Sequence, residues 1–298
     1  PAQVSAPAPV PASTPAPPPA PIPTLTPRSK PAPLPTGPQR FTVAVCRWAK
    51  PPAEVAAELA PRFKMTAYDL RLQLSGPLPL IIGQNLDAER AGELMELFME
   101  SGHGVINLDM GMIPPPDSRH QVRDFQLGAD SLVLTDEKRQ RWELAWGEIL
   151  ALIRGFHEHL KNPARDAEHE GGLVGRGTGP KLAGVGGAVR EQVLYLVKKS
   201  SMETWLLAEH HLRYGAMGAD KAASKGKNFV KLVNGLRKMA PRAFYDERLS
   251  QAAYTKNQSA LSAVSGSGGS SDSQVAVTDL MVQVILAAKQ QGQLSDAP

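Results

Sequence analysis

The residues most able to do chemistry are three histidines, a glycine run, scattered carboxylates and a dense group of lysines. His157 and His159 flank Glu158, and His169 follows. Two imidazoles two apart on a strand share a face, and a third donor could close a zinc-type site, so His157, His159 and His169 form a weak metal candidate. No cysteine joins them, and a polar loop edge is the simpler account; no metal or other cofactor is expected. The glycines between Gly171 and Gly187 suggest a phosphate loop, but Gly175 to Lys181 lacks the Gly-Lys-Ser/Thr ending, and a polar segment precedes it. Asp136, Glu137, Glu143 and Glu148 lie near tryptophans, and acid/base pairing would require environments that separate their pKa values. Ser75 and Ser101 sit at expected helix ends, where hydroxyls cap. The only cysteine, Cys46, reads as a small buried hydrophobe. No nucleophile, base and orienting group come together, so the chain is expected to bind rather than to transform.

Two stretches could bind. Lys221, Lys225, Lys227, Lys231, Arg237, Lys238 and Arg242 crowd into 22 residues, opposed by Asp220 and later by Asp246 and Glu247. On a helix, Lys231 and Lys238 share a face opposite Phe229, Leu232, Val233 and Leu236. Lys221, Lys225, Lys227, Lys231, Lys238 and Arg242 are therefore candidate anion-binding residues for nucleic acid or an acidic membrane surface. Aromatic interleaving is poor, so single-strand stacking has no evident platform in the sequence. Near the C-terminus, Leu280, Met281, Val284, Ile285 and Ala288 form an apolar stripe on a helix expected over 279–291, capped by Thr278 and Asp279. About 13 isolated residues cannot hold a helix alone. That stripe must bury on its own body, on a second copy as a homo-oligomer, or in a protein partner's groove.

The elements that carry these residues fall into sections. Residues 1–40 hold 15 of the 27 prolines and no acid, which suits a disordered, extended arm serving as a spacer. Residues 41–113 read as strand, helix, helix, strand, helix, strand. Val43 and Val45 face one side of the first strand, with Ala44 and Cys46 on the other. Pro51-Pro52 opens the first helix, with Val55, Ala56, Leu59 and Ala60 as its stripe. Thr66 caps the second helix and Asp87 the third. Leu78 to Ile82 reads as the middle strand. Gly102 ends the third helix.

This order, with Ala91, Leu94, Phe98, Gly102 and Val105 as anchors, resembles the C-terminal domain of the bacterial ribosomal stalk protein. The resemblance implies a small three-stranded, three-helix sandwich over about a quarter of the chain. That family binds translation factors through a lysine-bearing face of its helical hairpin. Here Lys64 is the only lysine near Thr66 and Asp69, so the fold alone is carried over.

A linker at 114–118 leads to a β-rich section, 119–249. Strands are expected around a Gly128-Ala129-Asp130 turn, at Trp142–Trp146, at Val193–Val197, at Thr204–Leu207 and at His211–Tyr214. Ile149–Ile153 fits a strand or a helix start. A flexible insertion is expected at 161–188, and the histidines at 157 and 159 are expected to leave regular structure. A closing helix carries Phe229 to Leu236. A strand-rich set ending in one helix resembles a pleckstrin-homology-like fold. The tail, 250–298, reads as a flexible tether with the short amphipathic helix.

The fold class is therefore α+β: a small sandwich, then a β-rich domain closed by a helix. No apolar run approaches the roughly 20 residues that span a bilayer, and no signal peptide is expected. One cysteine and no leader suggest a cytoplasmic scaffold or interaction protein with a protein partner. The alternative is a peripheral module that binds nucleic acid or acidic lipid through 221–242.

Overall fold

The computed structural model describes residues 39–115, 118–160, 188–251, 254 and 271–294. The Pro-rich arm to residue 38, most of the expected insertion, and the expected tether before Ser271 lie outside the described residues. The chain is α+β.

Alternation in the first strand, β1 (Phe41–Arg47), organises the N-terminal half. It is the centre of a three-stranded antiparallel sheet, between β2 (Leu80–Leu86) and β3 (Gly104–Asp109). Val43 and Val45 turn toward helices α1 (Pro52–Phe63), α2 (Ala67–Leu74) and α3 (Ala88–Glu100), while Ala44 and Cys46 turn the other way. The helices start where their side chains satisfy free amides: the Asp69 amide donates to Thr66 Oγ1 (3.1 Å), and the Arg90 amide to Asp87 Oδ1 (2.8 Å). At the end of α3, Gly102 adopts φ +81°, so its amide reaches the Met99 carbonyl and that of His103 reaches Phe98. Phe98 is fully buried among the rings of Trp48, Phe63 and His103. The middle strand begins two residues later than the apolar run suggested and continues through polar Gln84 and Asn85.

The second sheet has seven strands in the order β10-β7-β8-β9-β4-β5-β6. These are β4 (His120–Leu127), β5 (Ser131–Asp136), β6 (Arg141–Ala145), β7 (Ile149–Leu160), β8 (Ala188–Lys198), β9 (Thr204–Ala208) and β10 (Phe244–Asp246). β6 forms one end of the sheet and β7 lies next to the other, yet only Trp146–Glu148 connects them. That link reaches at most about 14 Å, whereas five flat inter-strand spacings would separate the strands by about 24 Å. The sheet must therefore curl. Helix α4 (Lys225–Met239) packs inside the curl through Phe229, Leu232, Val233 and Leu236.

Two expectations in this half are corrected and one open alternative is decided. His157 and His159 lie inside β7, which runs on to Leu160 because residues Phe156 to Leu160 pair with Ala188 to Gln192 of β8. His211–Tyr214 is no strand: the His211 and Leu212 amides turn back to the Ala208 carbonyl. Ile149–Ile153, which fitted either element, is strand.

The largest correction concerns the last helix, α5 (Ser271–Gln290), which starts eight residues before position 279. Thr278 and Asp279 are interior to it and cap nothing. Met281, Val282, Val284, Ile285, Leu286 and Ala288 are buried between the two sheets. On one side lie Ala44, Cys46, Ile106 and Leu108, and on the other Ala151, Ile153, Val193 and Val197. Each sheet has an apolar face that its own helices do not cover, and α5 is apolar enough on two sides to cover both. The layers are α1–α3, first sheet, α5, curled sheet, α4. No helix among the described residues is long and apolar enough to cross a membrane.

Candidate functional site

The exposed basic face of α4 is positioned by its own buried side. Ser224 caps the helix, accepting from the Lys227 amide (3.3 Å). Asn228, buried one turn in, accepts from the Ala222 amide (2.6 Å) and donates to the Ala222 carbonyl (2.9 Å). These bonds pin the approach to the helix. With Phe229, Leu232, Val233 and Leu236 inward, the spacing of 3.6 residues per turn sends Lys227, Lys231, Asn234 and Lys238 outward in one line about 16 Å long.

All six candidate anion-binding residues, Lys221, Lys225, Lys227, Lys231, Lys238 and Arg242, are exposed. No acid occurs between Lys221 and Arg242, and these cations with Arg237 exceed the chain's whole net charge of +4, so the remainder is net acidic. Elsewhere, Arg90, Arg123, Arg154 and Arg213 pair with carboxylates. Among the described residues none of the 221–242 cations has such a pair. Lys225 Nζ donates to the His210 carbonyl and Lys231 Nζ to that of Asp220, both at 2.8 Å, bonds that leave the charge uncompensated. Arg237 and Lys238 suit the helix C-terminus, but Lys225 and Lys227 sit in the first turn, where the helix dipole disfavours cations.

Sequence reading missed one feature of this face. The Arg237 guanidinium lies over the Tyr245 ring, 3.8 Å from its centroid. The Tyr245 hydroxyl donates to Glu247 (2.7 Å). Burial, then the Glu247 bond, pushes this phenol up to about 12, so it stays neutral. Arg237 and Tyr245 are eight residues apart and on different elements, so helical periodicity could not pair them.

The other candidates are placed differently. Met281, Val284, Ile285 and Ala288 are brought together inside the molecule, with Leu280 half-buried against them. His157 is buried with its Nε2 2.7 Å from the Tyr195 hydroxyl. His169 lies outside the described residues, as does the glycine run from Gly171 to Gly187. Among the described residues no three His, Cys, Asp or Glu side chains are arranged to hold a metal ion. Glu143 accepts from Ser131, Glu148 from the Ala145 amide, and Asp136 from the Gln140 amide, which are local structural bonds. Ser75 and Ser101 donate to the carbonyls of Arg71 and Leu97. Burial pushes the Cys46 thiol up to about 12, away from a reactive thiolate.

A polar cluster that the sequence did not signal joins four segments. Tyr195 donates to Asp279 Oδ1 (2.5 Å), and Arg119 pairs with the same carboxylate. Since the phenol's single proton goes to Asp279, His157 Nε2–H must donate to the phenol oxygen. The adjoining cavity is about 20 Å³, room for about one water and no substrate. The cluster ties α5 to β7, β8 and the entry to β4. A cleft of about 420 Å³ between α1 and α3 is lined by surface charges such as Arg62, Arg90, Glu93 and Glu100 and holds no nucleophile. Comparison with family models, with curated proteins and with solved structures finds no match to this chain.

Proposed function

We propose that this protein is a non-enzymatic, peripheral binding module that docks a polyanion on the outer face of α4. The observation that carries the reading is a line of exposed lysines with no carboxylate partner among the described residues, on a chain whose remainder is net acidic. Such a face holds a positive potential that attracts phosphate-bearing ligands and releases their counterions on contact. The setting fits the cytoplasm: one buried cysteine and no disulfide requirement. Binding of inorganic polyphosphate, followed by calorimetry at rising salt, tests it. Affinity is expected to fall linearly on a log–log scale, and K231E/K238E to remove binding. Binding that ignores both salt and charge reversal would sink the reading.

A second reading, a scaffold with a protein partner, has its own support. Tyr68 and Leu72, one turn apart on α2, are 69% and 59% exposed. Association through them is expected to be insensitive to salt and to weaken in Y68A/L72A.

A further inference from the structure

We infer that the polyanion is a single-stranded nucleic acid, whose phosphates follow the α4 lysines and one of whose bases stacks on Arg237. The inference rests on the α4 reading and deepens it.

Charge alone does not distinguish a nucleic acid from a membrane or a simple polyphosphate, but three observations do. First, Arg237 carries a planar cation whose central carbon lies over an aromatic ring, 3.8 Å from the Tyr245 centroid. Arg237 is exposed to solvent, and no other ring or carboxylate contact to it is seen among the described residues. Tyr245 is itself braced: it lies on β10, paired with Leu152 of β7, and its hydroxyl is bonded to Glu247. Contact with a braced ring limits the rotamers the guanidinium can take, so a base stacked on it incurs less ordering cost. Unpaired bases stack on arginine planes and aromatic rings in this way.

Second, the platform and the charges are contiguous. Arg237 adjoins Lys238, the last residue of the line from Lys227 through Lys231. A strand whose phosphates run along that line reaches Arg237 with its next base. Third, the face lacks what a bilayer requires. Interfacial helices insert an apolar side, whereas the apolar side of α4 fills the curled sheet, and Val230 is the sole large apolar side chain exposed on it. Duplexes are disfavoured because their bases already stack on each other.

Anisotropy of a labelled oligouridylate, with inorganic polyphosphate as competitor and phosphatidylserine vesicles as a separate arm, tests the inference on the full chain. R237K keeps the charge and loses the plane. It is expected to weaken oligouridylate at least about fivefold more than it weakens polyphosphate, given that base stacking is worth about 1–3 kcal/mol. K231E/K238E is expected to weaken both ligands. Equal effects of R237K on the two ligands, or tighter binding to vesicles than to oligouridylate, would overturn the nucleic-acid assignment and leave the anion surface standing. Polyphosphate that binds wild type and K231E/K238E alike would remove that surface, and this inference with it. Because Arg237 is exposed, R237K is expected to leave the thermal midpoint where it was; a large drop would show that the Tyr245 contact serves the fold instead.

Discussion

Asp279 shows how a buried charge can sit beside its counter-ion and still be uncomfortable. Its carboxyl is raised above the ordinary 3.8, by burial first, with Arg119 and the Tyr195 hydroxyl pulling the other way. The folded chain therefore takes up this proton more readily than the unfolded chain. The resulting stability is complete below pH 3.8 and is lost as pH climbs through the raised value. D279N lacks that loss, so its thermal midpoint relative to wild type is expected to rise between about pH 3 and about pH 7. R119A leaves the carboxylate buried without a cation and is expected to cost about 3–5 kcal/mol in urea unfolding. R119A/D279N is expected to cost less than R119A alone, and strict additivity would contradict the coupling. Phe98 is the apolar counterpart. Fully buried and ringed by Trp48, Phe63 and His103, it is expected to cost about 3–5 kcal/mol on F98A, and a loss below about 1 kcal/mol would show the site collapsing around the gap.

Elements were legible where the chain's own periodicity decided their burial. All six in 41–113 stand in the expected order, with Thr66 and Asp87 capping as expected, because each has one buried side and local end signals. Legibility failed where tertiary partners decide. Ser271 to Gln274 carry no apolar stripe in the sequence, so the first good cap residues, Thr278 and Asp279, mark the expected start of α5. Those side chains bond instead to Phe156 and to the Tyr195–Arg119 pair. Phe156 to Leu160 resembled a polar loop, because strand pairing with β8 uses backbone groups that composition does not reveal. Of the candidate site, the lysine line was readable, while the Arg237–Tyr245 stack required β10, a three-residue strand set by its pairing with β7. The burial of α5 sets an expectation of its own. Each large side chain buried there is worth about 1.5–3 kcal/mol, and Met281, Val282, Val284, Ile285 and Leu286 together rival the roughly 5–15 kcal/mol net stability of a domain. A chain ending before Ser271 is expected to lose its cooperative thermal transition and to bind a hydrophobic dye. An intact, sharp melt would mean that the two sheets do not depend on the helix.

At the scale of the whole molecule, each of the two bodies read from the sequence keeps a core of its own, and they share a third because α5 is the layer between them. Charge is distributed as unevenly as the core is shared. The basic α4 face lies on the side of the curled sheet away from α5, and the rest of the chain is net acidic. A polyanion of the proposed kind would be drawn to this face more than to the weakly net-acidic remainder, which would bias the encounter before contact. The salt slope reports how many phosphates are held, falling by about 0.7 for each lysine contact removed.

A central layer supplied by the last helix also governs the order in which a newborn chain can mature. Every strand of both sheets is synthesised before Ser271, and each sheet's inner face stays uncovered until the helix follows. A chain ended before Ser271 would expose the apolar faces that the helix buries, an aggregation-prone surface. Burial of both sheets' inner faces is thereby coupled to synthesis of Ser271–Gln290.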